Sequence, residues 1–196
     1  MAINNLCVIT GTCDVWTNLQ PSLSKWSGLL PLSFFILWCV NMWLAFKVGA
    51  ARKKYGIQYP TLYAVPNTIR VYGPKVPVTV DATKSESAVL GELITNEEAF
   101  AYNCVQRGHQ NSVENYPIIL ALSLAAWGFP IPAGFAVLSW TVGRIFYATG
   151  YAVTPEKRNN LIAALLTYPA LLTLVGLNLA TAIFLFQGTL PYSYSS

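Results

Sequence analysis

Two stretches of the sequence are too long and too apolar for an ordinary soluble domain. Residues 29–46 and 161–188 each run for at least 18 positions without a charged side chain. A helix of that length crosses a hydrocarbon core of about 30 Å. The composition agrees, because 54% of the 196 residues are hydrophobic, only 10% are charged, and the mean hydropathy is +0.45. The chain is therefore predicted to be an integral membrane protein.

A third apolar run, residues 116–153, is long enough for two spans. It is interrupted at residues 128–132, where one glycine and two prolines break the helical pattern. The prediction is an all-α, integral membrane four-helix bundle. Its transmembrane helices are expected at about 29–52, 97–127, 132–153 and 157–186. Around them lie an N-terminal arm (1–28), an inserted loop (64–96) with a short strand at 76–80 and a helix at 85–98, and a C-terminal tail (187–196).

The basic residues set the orientation. Most lysines and arginines fall at the end of the first span, in the first loop or at the third turn, whereas the turn at 128–132 has none. The positive-inside rule then places both termini outside the cytosol or its organellar equivalent. Residues 1–28 lack a basic segment followed by an apolar one, so no cleaved signal peptide is expected. The predicted location is the endoplasmic reticulum or an organellar membrane such as the mitochondrial one.

The four cysteines show no spacing typical of a metal site. Cys39 and Cys104 lie in or near spans, where reduced apolar side chains are the simplest interpretation. Cys7 and Cys13 form a disulfide only if their side of the membrane is oxidising.

An ionisable block, residues 103–117, opens the second span. On a helix, Arg107, Asn111 and Glu114 share one narrow face, because steps of four and three residues return to the same side. His109 points about 200° away from Arg107. The alternative to a binding site is that these residues only cap the helix near the membrane interface, with the Arg107 side chain reaching to water. Capping accounts for one or two polar residues rather than for a stripe that holds both an arginine and a glutamate.

The third span repeats this pattern. Arg144, Tyr147 and Tyr151 follow steps of three and four, so one face offers a guanidinium and two phenols. An arginine inside an apolar span usually faces a partner or a wet cavity, although tyrosines alone also fit an interfacial aromatic belt. Thr154 is the expected N-cap of the fourth helix and Pro155 its first residue. Arg158 follows on the same membrane face as Arg107.

Such a convergence of cations with one carboxylate and two phenols suits a small zwitterion with more negative than positive groups. Glutathione is such a molecule, with two carboxylates, one ammonium and a thiol. Guanidiniums bind carboxylates in forked geometry, and a glutamate can hold the ammonium. A nearby arginine also stabilises a thiolate.

The sequence resembles the membrane-associated eicosanoid and glutathione metabolism family, and most closely its microsomal glutathione S-transferase type 3 branch. The resemblance covers about residues 40–186, three quarters of the chain, and its motifs occur in the family's order. The matching segments are VGAARKKY (48–55) with YPTLY (59–63), NCVQRGHQNSVENYP (103–117), GRIFYATGY (143–151) and Lys157-Arg158.

The resemblance implies homotrimers of four-helix subunits, with glutathione bound between neighbours near the cytosolic face. Arg158 would activate the thiol, and Lys53 matches the position of a second arginine that helps the lipid substrate react in leukotriene C synthase. Asn115 replaces a tyrosine of that enzyme, so leukotriene synthesis is less expected. The site residues implied from one subunit are Arg107, Asn111, Glu114, Tyr147, Tyr151 and Arg158, and those from the next are Arg52 and His109.

The resulting hypothesis is a membrane glutathione S-transferase and peroxidase that acts on lipophilic electrophiles or lipid hydroperoxides arriving from the bilayer. Glutathione is the co-substrate, and no metal, flavin or nucleic acid is implied. The alternative is a non-catalytic family member that serves as an accessory or scaffold subunit of a larger membrane complex. Residues 1–28 and 64–96, which depart from the family pattern, would then provide the docking surfaces.

Overall fold

Four α-helices make up most of the described chain. The computed structural model describes residues 25–68 and 94–188, and within them no strand occurs. The helices are α1 (Leu29–Tyr55), α2 (Asn96–Ala125), α3 (Pro130–Tyr151) and α4 (Leu161–Phe186), with 3₁₀ turns at Lys25–Gly28 and Pro155–Asn159. The all-helical prediction is confirmed for this part. Several predicted features lie outside the described residues: Cys7, Cys13, most of the N-terminal arm, the strand at 76–80, residues 85–93 of the predicted loop helix, and the tail from residue 189.

Three of the helices are long and apolar enough to cross a membrane. They are α1 with the turn before it, α3 and α4, whose most apolar stretches have mean hydropathies of 1.9, 1.2 and 2.0. Large apolar side chains stand exposed along them, among them Phe46 (71%), Leu172 (71%) and Phe186 (93%). Helix α2 is the longest, with 30 residues, but its first half is polar. A fourth crossing through α2 therefore stays a prediction.

The helix boundaries differ from the predicted ones at the prolines. Helix α3 begins at Pro130 rather than at 132, because a proline in the first turn loses no hydrogen bond. The predicted start of α4 is wrong. Thr154 makes no side-chain cap, and Pro155–Asn159 forms a 3₁₀ turn. The helix starts at Leu161, where the Asn160 side chain accepts a 2.7 Å hydrogen bond from the backbone N–H of Ala163.

The start of α2 is fixed by a reciprocal cap. The Thr95 side chain accepts from the backbone N–H of Glu98, and the Glu98 carboxylate accepts from the backbone N–H of Thr95. Immediately before it, the carbonyl oxygen of Ile94 accepts from the backbone N–H of Asn67 at 3.0 Å, and the N–H of Ile94 donates to the carbonyl oxygen of Thr68 at 2.9 Å. The two ends of the inserted segment are thereby held side by side at the head of α2.

The bundle core draws on all four helices. Its members include Leu37 of α1, Ile119 of α2, Val137 of α3 and Leu174 of α4, each at most 2% exposed. Close approach of α2 to α3 depends on Gly108, because a Cβ added there would lie 3.3 Å from the carbonyl oxygen of Ala148. This contact brings the polar half of α2 against the polar face of α3.

Candidate functional site

A cavity of about 550 Å³ lies between α2, α3, the Pro155–Asn159 turn and the start of α4. Its polar lining comes from all four of these elements, and on α2 and on α3 it consists of residues that face the same way because they lie about one helical turn apart. The site residues predicted to come from one subunit meet here, with the exception of Glu114, which stands beside the lining as the partner of Arg107. The polar lining residues are Arg107, Asn111, Asn115, Arg144, Tyr147, Tyr151, Arg158, Thr167 and Tyr168.

Arg144 is the most deeply buried cation of the cavity. It is 5% exposed, and its guanidinium donates to the side-chain oxygen of Asn111 and, over 3.2 Å, to the hydroxyl of Ser112. Its Cζ also lies 4.2 Å from the ring centroid of Tyr147 and 5.4 Å from that of Trp140. Within the described residues it has no carboxylate partner. A buried guanidinium held only by neutral groups keeps its full positive charge for a ligand.

An aromatic ladder links Arg144 to Arg158. The rings of Tyr147 and Tyr151 lie 5.9 Å apart and tilted by 53°, and the Arg158 guanidinium lies 5.8 Å from the Tyr151 ring. Arg158 itself is exposed at the mouth of the cavity. The ladder therefore runs from a buried cation to an accessible one, with two phenolic hydroxyls between them.

Glu114, the acidic residue of the site, already accepts two hydrogen bonds through one of its oxygens. Glu114 Oε1 accepts from Arg107 Nη1 at 2.8 Å and from Gln110 Nε2 at 3.2 Å. Both partners of the ion pair are partly exposed, 38% for Arg107 and 45% for Glu114, so the pair adds little stability by itself. Within the described chain Glu114 Oε2 accepts no hydrogen bond. That oxygen is free to accept from a ligand cation.

The other end of the cavity is apolar. Ile118 of α2, Trp140 of α3 and Leu171 of α4 line it, and Tyr168 stands beside them with 62% of its surface exposed. The cavity thus joins a cationic mouth to an apolar interior along the bundle. A ligand with anionic groups and an apolar partner can both be accommodated.

Three predicted site residues lie elsewhere in the subunit. Arg52 is buried under the first loop, with its guanidinium 4.2 Å from the Tyr59 ring and 5.6 Å from the Tyr102 ring. Lys53 is exposed at the end of α1. His109 is half-buried on the side of α2 away from the cavity, as its helical position predicts. A contribution from any of them to this site requires a neighbouring subunit, and that stays a prediction.

Four polar lining residues, Asn115, Arg144, Thr167 and Tyr168, are missing from the predicted ligand set. For Arg144 the signal was present, because a lone charge in an apolar run marks a functional face. Tyr168 carries no such signal, since a tyrosine in an apolar helix also fits an interfacial belt.

The described part of the chain contains no group of side chains that could hold a metal ion. Among residues 25–68 and 94–188, no three His, Cys, Asp or Glu side chains come together as a metal site. The expectation that no metal is used stays a prediction.

A model of the MAPEG family matches residues 30–180, which include α2 and α3, most of α1 and α4, and every residue that lines the cavity. The chain therefore belongs to the MAPEG family, a membrane family that includes glutathione transferases and peroxidases. Membership agrees with an integral membrane protein whose cavity carries an excess of arginine.

Removal of the Asn111 amide tests whether the buried cation organises the site. In Asn111→Ala, Arg144 loses one of its two side-chain acceptors while it stays buried, which costs about 1–3 kcal/mol. In a chain of this size that lowers the thermal midpoint by about 2–4 °C for each kcal/mol. The measurement is thermal unfolding of the purified protein in detergent.

The matched control is Asn115→Ala, one turn further along the same helix face. The Asn115 side chain donates only to the backbone carbonyl of Asn111, so its loss is expected to leave the midpoint nearly unchanged. Equal midpoints for both variants would show that Arg144 does not depend on Asn111.

Proposed function

We propose that this protein is a membrane glutathione S-transferase of the type 3 kind, with glutathione peroxidase activity toward lipophilic electrophiles or lipid hydroperoxides. The observation that carries the proposal is the charge of the cavity. Three guanidiniums, those of Arg107, Arg144 and Arg158, line it, and one carboxylate, Glu114, stands beside it. Such an excess of fixed positive charge favours a small ligand with a net negative charge.

Glutathione matches this arrangement group by group. Its two carboxylates suit guanidiniums, which bind them in forked geometry, and its ammonium suits the free oxygen of Glu114. The buried Arg144 and the partly exposed Arg107 offer two separate carboxylate positions. The thiol then falls to the remaining cation, Arg158, at the end of the aromatic ladder.

In the proposed mechanism Arg158 stabilises the thiolate of bound glutathione. A cysteine-like thiol has a pKa of about 8.5, and each unit by which a neighbouring cation lowers it is worth about 1.4 kcal/mol of preference for the thiolate. The thiol proton leaves to solvent at the exposed mouth. The guanidinium stays protonated throughout, so its role is electrostatic and it does not act as a base.

The thiolate then serves two reactions. With a carbon electrophile its sulfur forms a new S–C bond, and the leaving group departs with the electron pair of the bond that breaks. With a lipid hydroperoxide it attacks the terminal oxygen, which cleaves the O–O bond and yields glutathione sulfenic acid and the lipid alkoxide. The alkoxide takes a proton from water to become the lipid alcohol. A second glutathione reduces the sulfenic acid to glutathione disulfide and water.

The lipophilic partner is expected to arrive from the bilayer. At the apolar end of the cavity, Ile118 and Trp140 lie on the helices that also carry Arg107 and Arg144, and Leu171 lies on α4, which follows the turn that carries Arg158. A lipid tail held there would bring its reactive group toward the thiolate, and proximity of this kind replaces a bimolecular encounter.

Replacement of Arg158 tests the catalytic assignment. In Arg158→Ala the thiolate of bound glutathione loses its cation, so the ultraviolet thiolate absorbance at neutral pH and the conjugation rate should fall by tenfold or more. Glutathione binding should persist, because the carboxylate contacts lie elsewhere.

The control is Lys157→Ala, which removes a positive charge one residue away but outside the cavity. It should keep both the thiolate signal and the rate. An Arg158→Ala protein with the thiolate absorbance and turnover of the parent would refute this role.

We also propose that the functional unit is a homotrimer in which Arg52 and His109 reach the cavity of the next subunit. The position of His109 supports this, since it faces away from the cavity of its own chain. A small polar ring half-buried on an outer face of a membrane helix is costly unless it meets a partner.

Mixed trimers test the sharing. His109→Ala and Glu114→Gln homotrimers should each bind glutathione poorly, the latter by about 1.5–3 kcal/mol, the range for hydrogen bonds to charged groups. A mixture of the two, separated by different affinity tags, contains boundaries at which both faces are intact, and those boundaries should bind normally. Mixed trimers that bind no better than either parent would show that the site is not shared.

An accessory role is the second candidate. The paired residues Asn67, Thr68 and Ile94 support it, because they bring together the two chain ends that flank residues 69–93 at one point beside α2. Purification in mild detergent separates the two functions. Isolated trimers support the enzyme, whereas stoichiometric co-migration with unrelated proteins supports the accessory subunit.

A further inference from the structure

The first loop is hydrogen-bonded along the polar face of α2. The Asn103 amide donates to the carbonyl oxygen of Ala64 at 3.0 Å and accepts from its N–H at 2.7 Å, so Ala64 is held from both sides. The Tyr102 hydroxyl donates to the carbonyl oxygen of Leu62 at 3.2 Å. These three bonds fix the residue between them, Tyr63, over the face of α2 that leads to the cavity.

Tyr63 begins a chain of hydrogen bonds that ends at the site. Its hydroxyl donates to Gln110 Oε1, Gln110 Nε2 donates to Glu114 Oε1, and the same oxygen accepts from Arg107. Asn103, Arg107, Gln110 and Glu114 share one side of α2 because they are separated by steps of four, three and four residues. The loop is therefore connected to the only acidic group at the cavity, within the described residues, through one amide.

The direction of each bond in this chain is determined by its ends. A tyrosine hydroxyl can donate to the amide oxygen of Gln110, whereas a carboxylate can only accept, so the amide nitrogen must face Glu114. Glu114 holds the nitrogen end of this amide and the Tyr63 hydroxyl holds its oxygen end. Without the hydroxyl the oxygen end loses its partner, so the Gln110 side chain is free to leave the position in which Nε2 meets Glu114 Oε1.

We propose that Tyr63 is a positioning residue for ligand binding: through Gln110 it fixes the Glu114 carboxylate so that Oε2 points to the ammonium of the ligand. The inference rests on the proposed function and deepens it, because it assigns recognition of the ammonium group to a residue of the first loop. It also gives the start of the inserted segment a direct connection to the site, since Tyr63 lies five residues before Thr68.

The test is calorimetric binding to the trimer in detergent, with two ligands. One is glutathione, and the other is the analogue in which a glutaryl group replaces the γ-glutamyl group, so that only the ammonium is missing. Tyr63→Phe keeps the ring and removes the hydroxyl. It should weaken glutathione binding roughly three- to tenfold, the value of one hydrogen bond of about 0.5–1.5 kcal/mol. It should leave binding of the analogue unchanged.

Tyr102→Phe is the matched control. It removes a hydroxyl that also pins the first loop to α2, but that hydroxyl bonds a loop carbonyl and stands outside the chain to Glu114. The two bonds between Asn103 and Ala64 remain in this variant and keep Tyr63 in place, so its affinities for both ligands should stay within twofold of the parent. In a Glu114→Gln background, Tyr63→Phe should have no further effect, because the group that it positions is then neutral.

The outcomes are distinguishable. A parent protein that binds no glutathione overturns the proposed function and this inference together. If the parent binds and Tyr63→Phe binds equally well, only the inference fails. The inference also fails if Tyr63→Phe weakens both ligands alike or if Tyr102→Phe reproduces its effect, because the loop then acts through packing and not through Glu114.

Discussion

The buried guanidinium of Arg144 is the contact on which the site depends. Transfer of a charge out of water costs several kcal/mol, and here the cost is offset by hydrogen bonds to Asn111 and Ser112 and by the Tyr147 ring. These groups come from two helices, so the cation fixes how α2 and α3 face each other. Because no carboxylate neutralises it within the described chain, the same contact that orders the helices leaves a positive site for a ligand.

Small residues make this arrangement possible. Gly108 lets α2 approach the backbone of α3 at Ala148, and Gly143 does the same for α3 against Leu166 and Thr167 of α4. Both glycines sit next to arginines of the cavity, Arg107 and Arg144. Close backbone contact thereby positions the long cationic side chains at the edge of the contact, where space remains. In a membrane, where lipid is as apolar as a leucine side chain, such close packing is also what holds helices together.

Much of the fold and part of the site follow from sequence patterns. Run length and proline position give the helices to within a few residues, and helical spacing places Arg107, Asn111, Tyr147 and Tyr151 on one cavity. Local patterns fail where a competing local group acts: the Asn160 side chain caps α4, so the plausible cap at Thr154 stays unused. Thr154 and Asn160 have similar propensities to cap a helix, so the sequence alone does not show which of them caps α4. The packing of the turn between them decides it.

The contacts of the first loop could not be predicted for a different reason. Tyr63 meets Gln110, and Arg52 lies against Tyr59 and Tyr102, only because the chain folds back over the end of α1. A periodic sequence pattern does not predict where the chain folds back in this way. Similarly, the sequence marks Arg144 as unusual but does not show that its partners are neutral. Arg144 is available to a ligand because its partners are neutral, and its partners depend on which side chains of α2 it reaches.

The central claim is that the cationic cavity binds glutathione and ionises its thiol. Calorimetry of the purified protein, in buffers of different ionisation enthalpy, tests it most directly. The account predicts saturable heat whose size depends on the buffer near neutral pH, because the thiol releases a proton on binding. S-methylglutathione, which has no thiol proton, should bind without that dependence. Folded protein that gives no saturable heat with either ligand would contradict the account.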